Sequence, residues 1–316
     1  MEKLADALVR LRQRALKHKG EDKFEVAEAA SRAHEKLLPD RSSVQDFFVA
    51  DVLEWALKAD RHTMEHPMFS LSKTPDRKER HYEHQGRTVT VMPSSRGIAT
   101  IWDKDILLYC ISVLMDGINR GQNVSRTVRL KAYDLLIVTN RSTGGAHYRR
   151  LEAAFDRLAG TRIKTNITTN GVRAREGFGL IDNWKIIEKA PGNGRMIAVE
   201  VTLNEWLYNA IVAREVLTLN RDYFRLDGGL ERRLYEIARK HCGNQPKWEI
   251  GADILHKKSG STGPLKRFRE FLKKIAADDS LPDYRIRYDP AGDKVLFYTK
   301  DGQKLAQSFF DEPAYQ

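Results

Sequence analysis

Cysteine is nearly absent: Cys110 and Cys242 are the only two in 316 residues. They form no C-x-x-C pair and lie far apart, which excludes a disulfide framework and points to a reducing compartment. No run of about 18 apolar residues occurs, so no membrane span is expected. Residues 1–20 read as charged helix without the apolar segment of a signal peptide, so a cytoplasmic protein is expected. There is no G-x-x-x-x-G-K-[ST], and hence no Walker-type ATPase. Gly177-Phe178-Gly179 lacks the helix that a dinucleotide loop would open, and no Ser/His/Asp or Cys/His set has credible spacing. His62 with His66, and His81 with His84, have spacings that suit metal ligands on a helix. Pro67 follows the first pair at once, however, and no Cys or carboxylate cluster accompanies the second. No catalytic residue, metal or cofactor is expected.

What the chain has in excess is positive charge. Its 54 Lys/Arg outnumber 43 Asp/Glu, a formal balance of +11. Such a surplus favours an anionic partner, nucleic acid or an acidic surface. Residues 123–180 alone hold eleven Lys/Arg against four Asp/Glu. With 41% hydrophobic residues the chain can build a core, and its length suggests more than one domain.

Periodicity locates the elements. Residues 1–45 read as one or two charged helices, a helical N-terminal extension with ten basic and eight acidic residues. Residues 68–72 and 88–92 look like short strands. A helix starts at residues 101–103 with Asp103 as a plausible N-cap and Ile106, Leu107, Cys110, Ile111, Val113 and Leu114 inward. Residues 130–139 read as a short helix, 140–145 as a turn, and 143–159 as a longer helix. Tyr148, Leu151, Phe155 and Leu158 recur at spacings of three and four, which makes one apolar side. A basic strand at 161–167, a glycine-flanked wing tip at 170–177, and strands at 178–187 and 195–203 follow. Asn204 caps a helix to residue 213, residues 221–226 connect, and 230–241 is helical. The order then repeats: short helix at 250–258, turn at 260–263, a helix with Leu265, Phe268, Leu272 and Ile275 inward, and strands at 284–288 and 294–299.

A short helix, a turn, a basic amphipathic helix and a basic strand pair, occurring twice, is the order of a winged helix-turn-helix. The expected fold is α+β: two tandem winged helix-turn-helix domains, over 46–220 and 221–316, behind the helical extension. One basic helix face is ordinarily just solvated surface; two in matching contexts favour duplex DNA. Ser142 or Thr143 would cap the first long helix and leave N–H groups for a phosphate. Candidate DNA contacts in the first domain are Thr143, His147, Arg149, Arg150, Arg162, Lys164, Arg173 and Arg175. In the second they are Lys257, Lys258, Ser261, Thr262, Lys266, Arg267, Arg269, Lys273, Lys274, Arg285 and Arg287. Arginine can pair with guanine O6 and N7, other cations with phosphates, and a basic wing with phosphate or a narrow minor groove.

Three stretches carry a family resemblance: Met64-Glu65-His66-Pro67-Met68-Phe69-Ser70-Leu71-Ser72-Lys73, Ala99-Thr100-Ile101-Trp102-Asp103-Lys104-Asp105-Ile106-Leu107, and TNRSTGGAHYRRLEAAFDRL from Thr139. Arg232-Arg233-Leu234-Tyr235-Glu236 adds a fourth. Over about residues 47–300 the chain resembles plasmid replication initiators of the replication initiator protein A type, related to iteron-binding Rep proteins. That resemblance implies a bacterial protein that binds direct origin repeats as a monomer and opens an adjacent AT-rich region. It also implies loading of the host replicative helicase with host initiator proteins, dimerisation through the first domain, and autorepression. In the wider group the second domain reads most of the sequence; here the first has the denser charge. A transcriptional repressor without an initiation role, and a DNA-nicking enzyme, are the alternatives. The latter lacks a His-hydrophobe-His motif, since two residues separate His81 from His84.

Overall fold

The computed structural model describes residues 37–41, 46–50, 67–84, 86–166, 168–169, 172–173, 176–188, 196–214, 216–243, 245–302 and 304. The expected helices of residues 1–36, the His62/His66 pair and Arg175 lie outside them.

In chain order come β1 (Asp46–Ala50), β2 (Arg80–His84), β3 (Arg87–Met92), α1 (Lys104–Asn119), β4 (Thr127–Lys131), α2 (Ala132–Val138) and α3 (Gly145–Gly160). After them run β5 (Arg162–Thr165), β6 (Thr168–Thr169), β7 (Val172–Arg173), β8 (Glu176–Gly179), β9 (Ile181–Glu188), β10 (Met196–Leu203), α4 (Glu205–Val212) and β11 (Val216–Asn220). A 3-10 turn at Arg221–Arg225 leads to α5 (Gly229–His241), β12 (Lys247–Gly251), α6 (Ala252–Ser259), α7 (Leu265–Asp278), β13 (Tyr284–Asp289) and β14 (Lys294–Thr299).

Two hydrophobic cores divide these elements. The first gathers Leu107 and Ile111 of α1, Leu135 and Leu136 of α2, Leu151, Phe155 and Leu158 of α3, and Val199 and Val201 of β10. The second gathers Leu234 and Ile237 of α5, Leu255 of α6, Phe268 and Leu272 of α7, and Phe297 of β14. Leu108 of α1 belongs to the second core, so α1 lends a face to each.

The wiring occurs twice. A helix is followed by a strand, two helices and an antiparallel ribbon, and the early strand pairs with the far ribbon strand. The sheet orders are β4-β10-β9 and β12-β14-β13. In β4 the alternation puts Val128 and Leu130 into the core and Arg129 and Lys131 outside, the period of a half-buried strand. The copies differ after their long helices. From α7 the chain turns directly into β13, through left-handed backbone at Asp279 and Asp283. From α3 it first enters an inserted sheet of order β2-β3-β5-β8.

Several expectations shift. The helices predicted at 130–139 and 250–258 begin later: Leu130 is in β4, Ile250 in β12, and each strand hands directly to its helix. The strand predicted at 178–187 is β8 and β9, broken at Leu180 and split between two sheets. The predicted wing of residues 161–177 belongs to the inserted sheet and to the β6–β7 ribbon; the ribbon paired with β4 is β9–β10. Residues 68–72 contribute only the isolated Ser70–Thr100 bridge. Val113, expected inward, is exposed. Neither long helix has a Ser/Thr cap: Gly144 and Pro264 hold the N-cap positions, and neither makes a side-chain capping bond. Asn204 does cap α4, accepting from the Leu207 amide at 2.8 Å. β11, which pairs with β1, matches no element expected from the sequence.

Candidate nucleic-acid interface

α3 is held down by Leu151, Ala154, Phe155 and Leu158, with Phe155 stacked on Trp184 of β9 at 5.6 Å. Tyr148 is half-buried beside them, while Arg149 and Arg150 are exposed. His147 is half-buried. Burial first, then the charges of Arg150, Arg141 and Arg41, push its pKa below the usual value, so it is neutral at pH 7. Arg157 is committed inward, forming a bidentate pair with Asp103 at 2.7 and 2.8 Å. Asp103 therefore sits at the N-cap of α1 without capping it; its carboxylate takes Arg157 and the Thr100 amide instead.

The turn into α3 is anchored by Arg141, which donates to the Trp102 carbonyl and to Asp105. Asp105, 1% exposed, also accepts from Arg232 of α5 at 2.7 Å. Arg232 also donates to the Leu226 and Phe224 carbonyls and lies over the Tyr223 ring. Nearby, Lys104 pairs with Glu236 at 2.8 Å, and Tyr223 donates to the same carboxylate. This buried polar network joins the two cores, and each of its charged side chains has an oppositely charged partner, as burial of charge requires. Beside it opens a cleft of about 590 Å³ lined by Arg41, Lys73, His147, Arg150 and Arg232, among others.

Arg162 and Lys164 stand on the exposed side of β5, Arg162 donating to the Gly177 carbonyl at 3.0 Å. Arg173 is placed in β7 by its backbone alone. Thr143 is half-buried in the turn.

α7 repeats the arrangement. Phe268, Leu272 and Ile275 are buried, and Leu265 is half-buried. Lys266, Arg267, Lys273 and Lys274 are exposed. Arg267 lies over Phe271 at 5.4 Å and Lys273 over Tyr288 at 5.9 Å. Arg269 is taken by Asp293, through bonds of 2.8 and 2.6 Å that fasten α7 to the β13–β14 turn. Those bonds hold the Asp293 carboxyl below its usual pKa. Arg285 is exposed but bonded to Asp279, while Arg287 is exposed on the same strand. Lys257 and Thr262 are exposed and Ser261 half-buried.

Lys258 corrects the sequence reading: it is 3% exposed and cannot reach a phosphate. Its carbonyl accepts from Arg233 of α5 at 3.1 Å, because this turn of α6 faces the interior. Asp103, Asp105 and Arg232 are the positioning residues that sequence reasoning missed. All three lie in the family-like stretches, and Asp103 was expected only as a helix cap.

No group of three or more His, Cys, Asp or Glu able to hold a metal occurs among the described residues, and no helix there is long and apolar enough to cross a membrane. Both cysteines are buried and unpaired. The fold is similar to that of two solved domains of RctB. Domains 2 and 3 of RctB superpose with TM-score 0.53 at 14% identity, covering 79% of this chain and 99% of that one. A second RctB domain 2–3 structure gives 0.51 at 12% identity, over 76% and 97%. The sequence makes the assignment: residues 58–286 match the family model of replication initiator protein A, and the chain belongs to that family. A protein of Wigglesworthia glossinidia brevipalpis described as a "Putative replication protein" is 40% identical over 263 residues, 82% of this chain and 95% of that protein. The chain is thus a replication initiator.

Proposed function

We propose that this initiator serves a plasmid and grips directly repeated duplex sites with two winged helix-turn-helix domains, residues 46–220 and 221–316. The carrying observation is the repeated wiring, each copy presenting a long helix with an apolar underside and exposed cations. Arg149, Arg150, Lys266 and Arg267 face base edges in the major groove, with arginine pairing to guanine. Arg162, Lys164, Arg173, Arg175, Lys257, Thr262, Lys273, Lys274 and Arg287 grip phosphates, with Thr143, His147 and Ser261 at the turns. Arg269 and Arg285 act indirectly, by bracing Asp293 and Asp279.

In this reading the second domain supplies most of the sequence reading, while the first adds backbone contacts and dimerises. Binding in the bacterial cytoplasm opens an adjacent AT-rich region, recruits host initiator proteins and helicase, and represses the initiator's own promoter. It performs no covalent chemistry. The test is a footprint of the purified full chain on its own replicon's origin at stated salt, where evenly spaced direct repeats should be protected. Protection of a lone promoter palindrome would leave only the repressor reading. Metal-dependent nicking of supercoiled plasmid, lost on one Tyr or His change, would replace it with the nickase reading.

A further inference from the structure

The first turn of α1 holds three things at once. Asp103 grips Arg157 near the end of α3, and Asp105 grips Arg141 in the turn that leads into α3. The same Asp105 carboxylate grips Arg232 of α5, in the second unit. The orientation of α3 and the placement of the second unit are therefore referred to one short stretch of backbone. The surrounding contact leaves no slack. A methyl on Gly229 would meet the Leu71 carbonyl at 2.4 Å, and one on Gly260 would meet Pro67 at 2.5 Å. Gly260 also has φ 77°, a left-handed conformation that glycine adopts without strain. Asp105 itself is nearly inaccessible, so water does not substitute for its partners.

We infer that Asp105 is a positioning residue that locks the two units into one rigid body with a fixed spacing and angle between α3 and α7. Resting on the DNA-binding reading above, the chain then measures the separation of two sub-sites as well as their sequence. A rigid pair gains avidity only where both heads engage together. One inserted base pair rotates the second sub-site by roughly a tenth of a turn about the duplex.

The test uses the full chain on the repeat located by footprinting, and on duplexes with one to four base pairs inserted between the segments each unit protects. Wild type should lose about a hundredfold in affinity on a single insertion. Asp105→Asn keeps the shape but removes the charge shared by the two arginines. It should bind the native spacing less tightly and show nearly equal affinity across the series, with an unchanged salt slope. Arg141→Ala removes only the half-buried arm, leaves the Asp105–Arg232 pair, and should show the same indifference. A merely structural role would lower folded protein without altering the spacing profile.

A second measurement needs no DNA. Spin labels at exposed Asn209 and Lys247, one in each unit, should give a single narrow distance in wild type that broadens in Asp105→Asn. A wild-type spacing penalty retained in both folded variants, or a broad wild-type distance, overturns the inference. Loss of sequence-selective duplex binding in wild type would overturn the functional reading and the spacing gauge, even with a narrow distance.

Discussion

The two units share a wiring and differ in how they use their charge. By sequence the most basic stretch lies in the first, with eleven Lys/Arg against four Asp/Glu in residues 123–180. In the structure much of that charge is already spent. Arg126 pairs with Asp182, Arg141 with Asp105 and Arg157 with Asp103. On α7 only Arg269 is committed to a carboxylate among the described residues, while Lys266, Arg267, Lys273 and Lys274 stand exposed. Charge density along a chain therefore overstates the first unit's capacity for an anion. What a polyanion meets is the exposed part: Arg149, Arg150, Arg162 and Lys164 in the first unit, and Lys266, Arg267, Lys273 and Lys274 in the second.

The comparison breaks most severely if the joint fails. Arg232→Ala strips Asp105 of its most buried partner and should cost about 3–5 kcal/mol in urea unfolding, because a charge is left inside with half its compensation. Loss of a single cooperative transition would show the two cores separating. A sharper comparison comes from the reading helices. Arg267→Ala should lower affinity for the native repeat by about 1–3 kcal/mol and relax preference at one base pair. Arg149→Ala should cost less than that, and the reverse ranking would return base reading to the first unit.

The histidines separate the units by pH. His241 of α5 stacks on Trp248 at 4.5 Å, and burial followed by Lys258, Lys240 and Arg233 pushes its pKa down to about 2. The folded chain keeps it neutral, while the unfolded chain takes up a proton below about pH 6.5, so stability present above that pH falls as pH drops. His241→Phe keeps the stack and should remove this part of the acid loss, read as a flatter melting temperature between pH 6.5 and 5. The smallest effect concerns neighbours in sequence. Lys257→Ala should reduce the slope of log affinity against log salt by about 1. Lys258→Met should leave it unchanged, its ammonium being inside the fold.

Amphipathic helices were legible because their signal is local: the Leu151–Phe155–Leu158 and Phe268–Leu272–Ile275 stripes fix a face by spacing alone. β4 and β12 were absorbed into the helices they precede, since each strand passes without a break into an apolar helical run. The inserted sheet was illegible for another reason. β5 looked like the start of a wing, and only its pairing with β3 shows otherwise. Long-range pairing leaves no mark in a single sequence. The candidate contacts divide the same way. Exposed Arg149, Arg267 and Lys274 followed from helical phase, whereas buried Lys258 and the commitments of Arg157 and Arg269 depend on neighbours distant in the chain.

The β1–β11 ribbon has a consequence for synthesis. Its strands come from opposite ends of the first unit, Asp46 lying opposite Asn220. A chain emerging from the ribosome can assemble α1, α2 and α3 early, since their contacts are local, but β1 has no strand partner until Asn220 is out. The loop entropy of bringing them together must be spent before any hydrogen bond of the pair repays it. The first unit is thus the first to be made and among the last parts to be closed, and Leu219 of its closing strand packs into the second core.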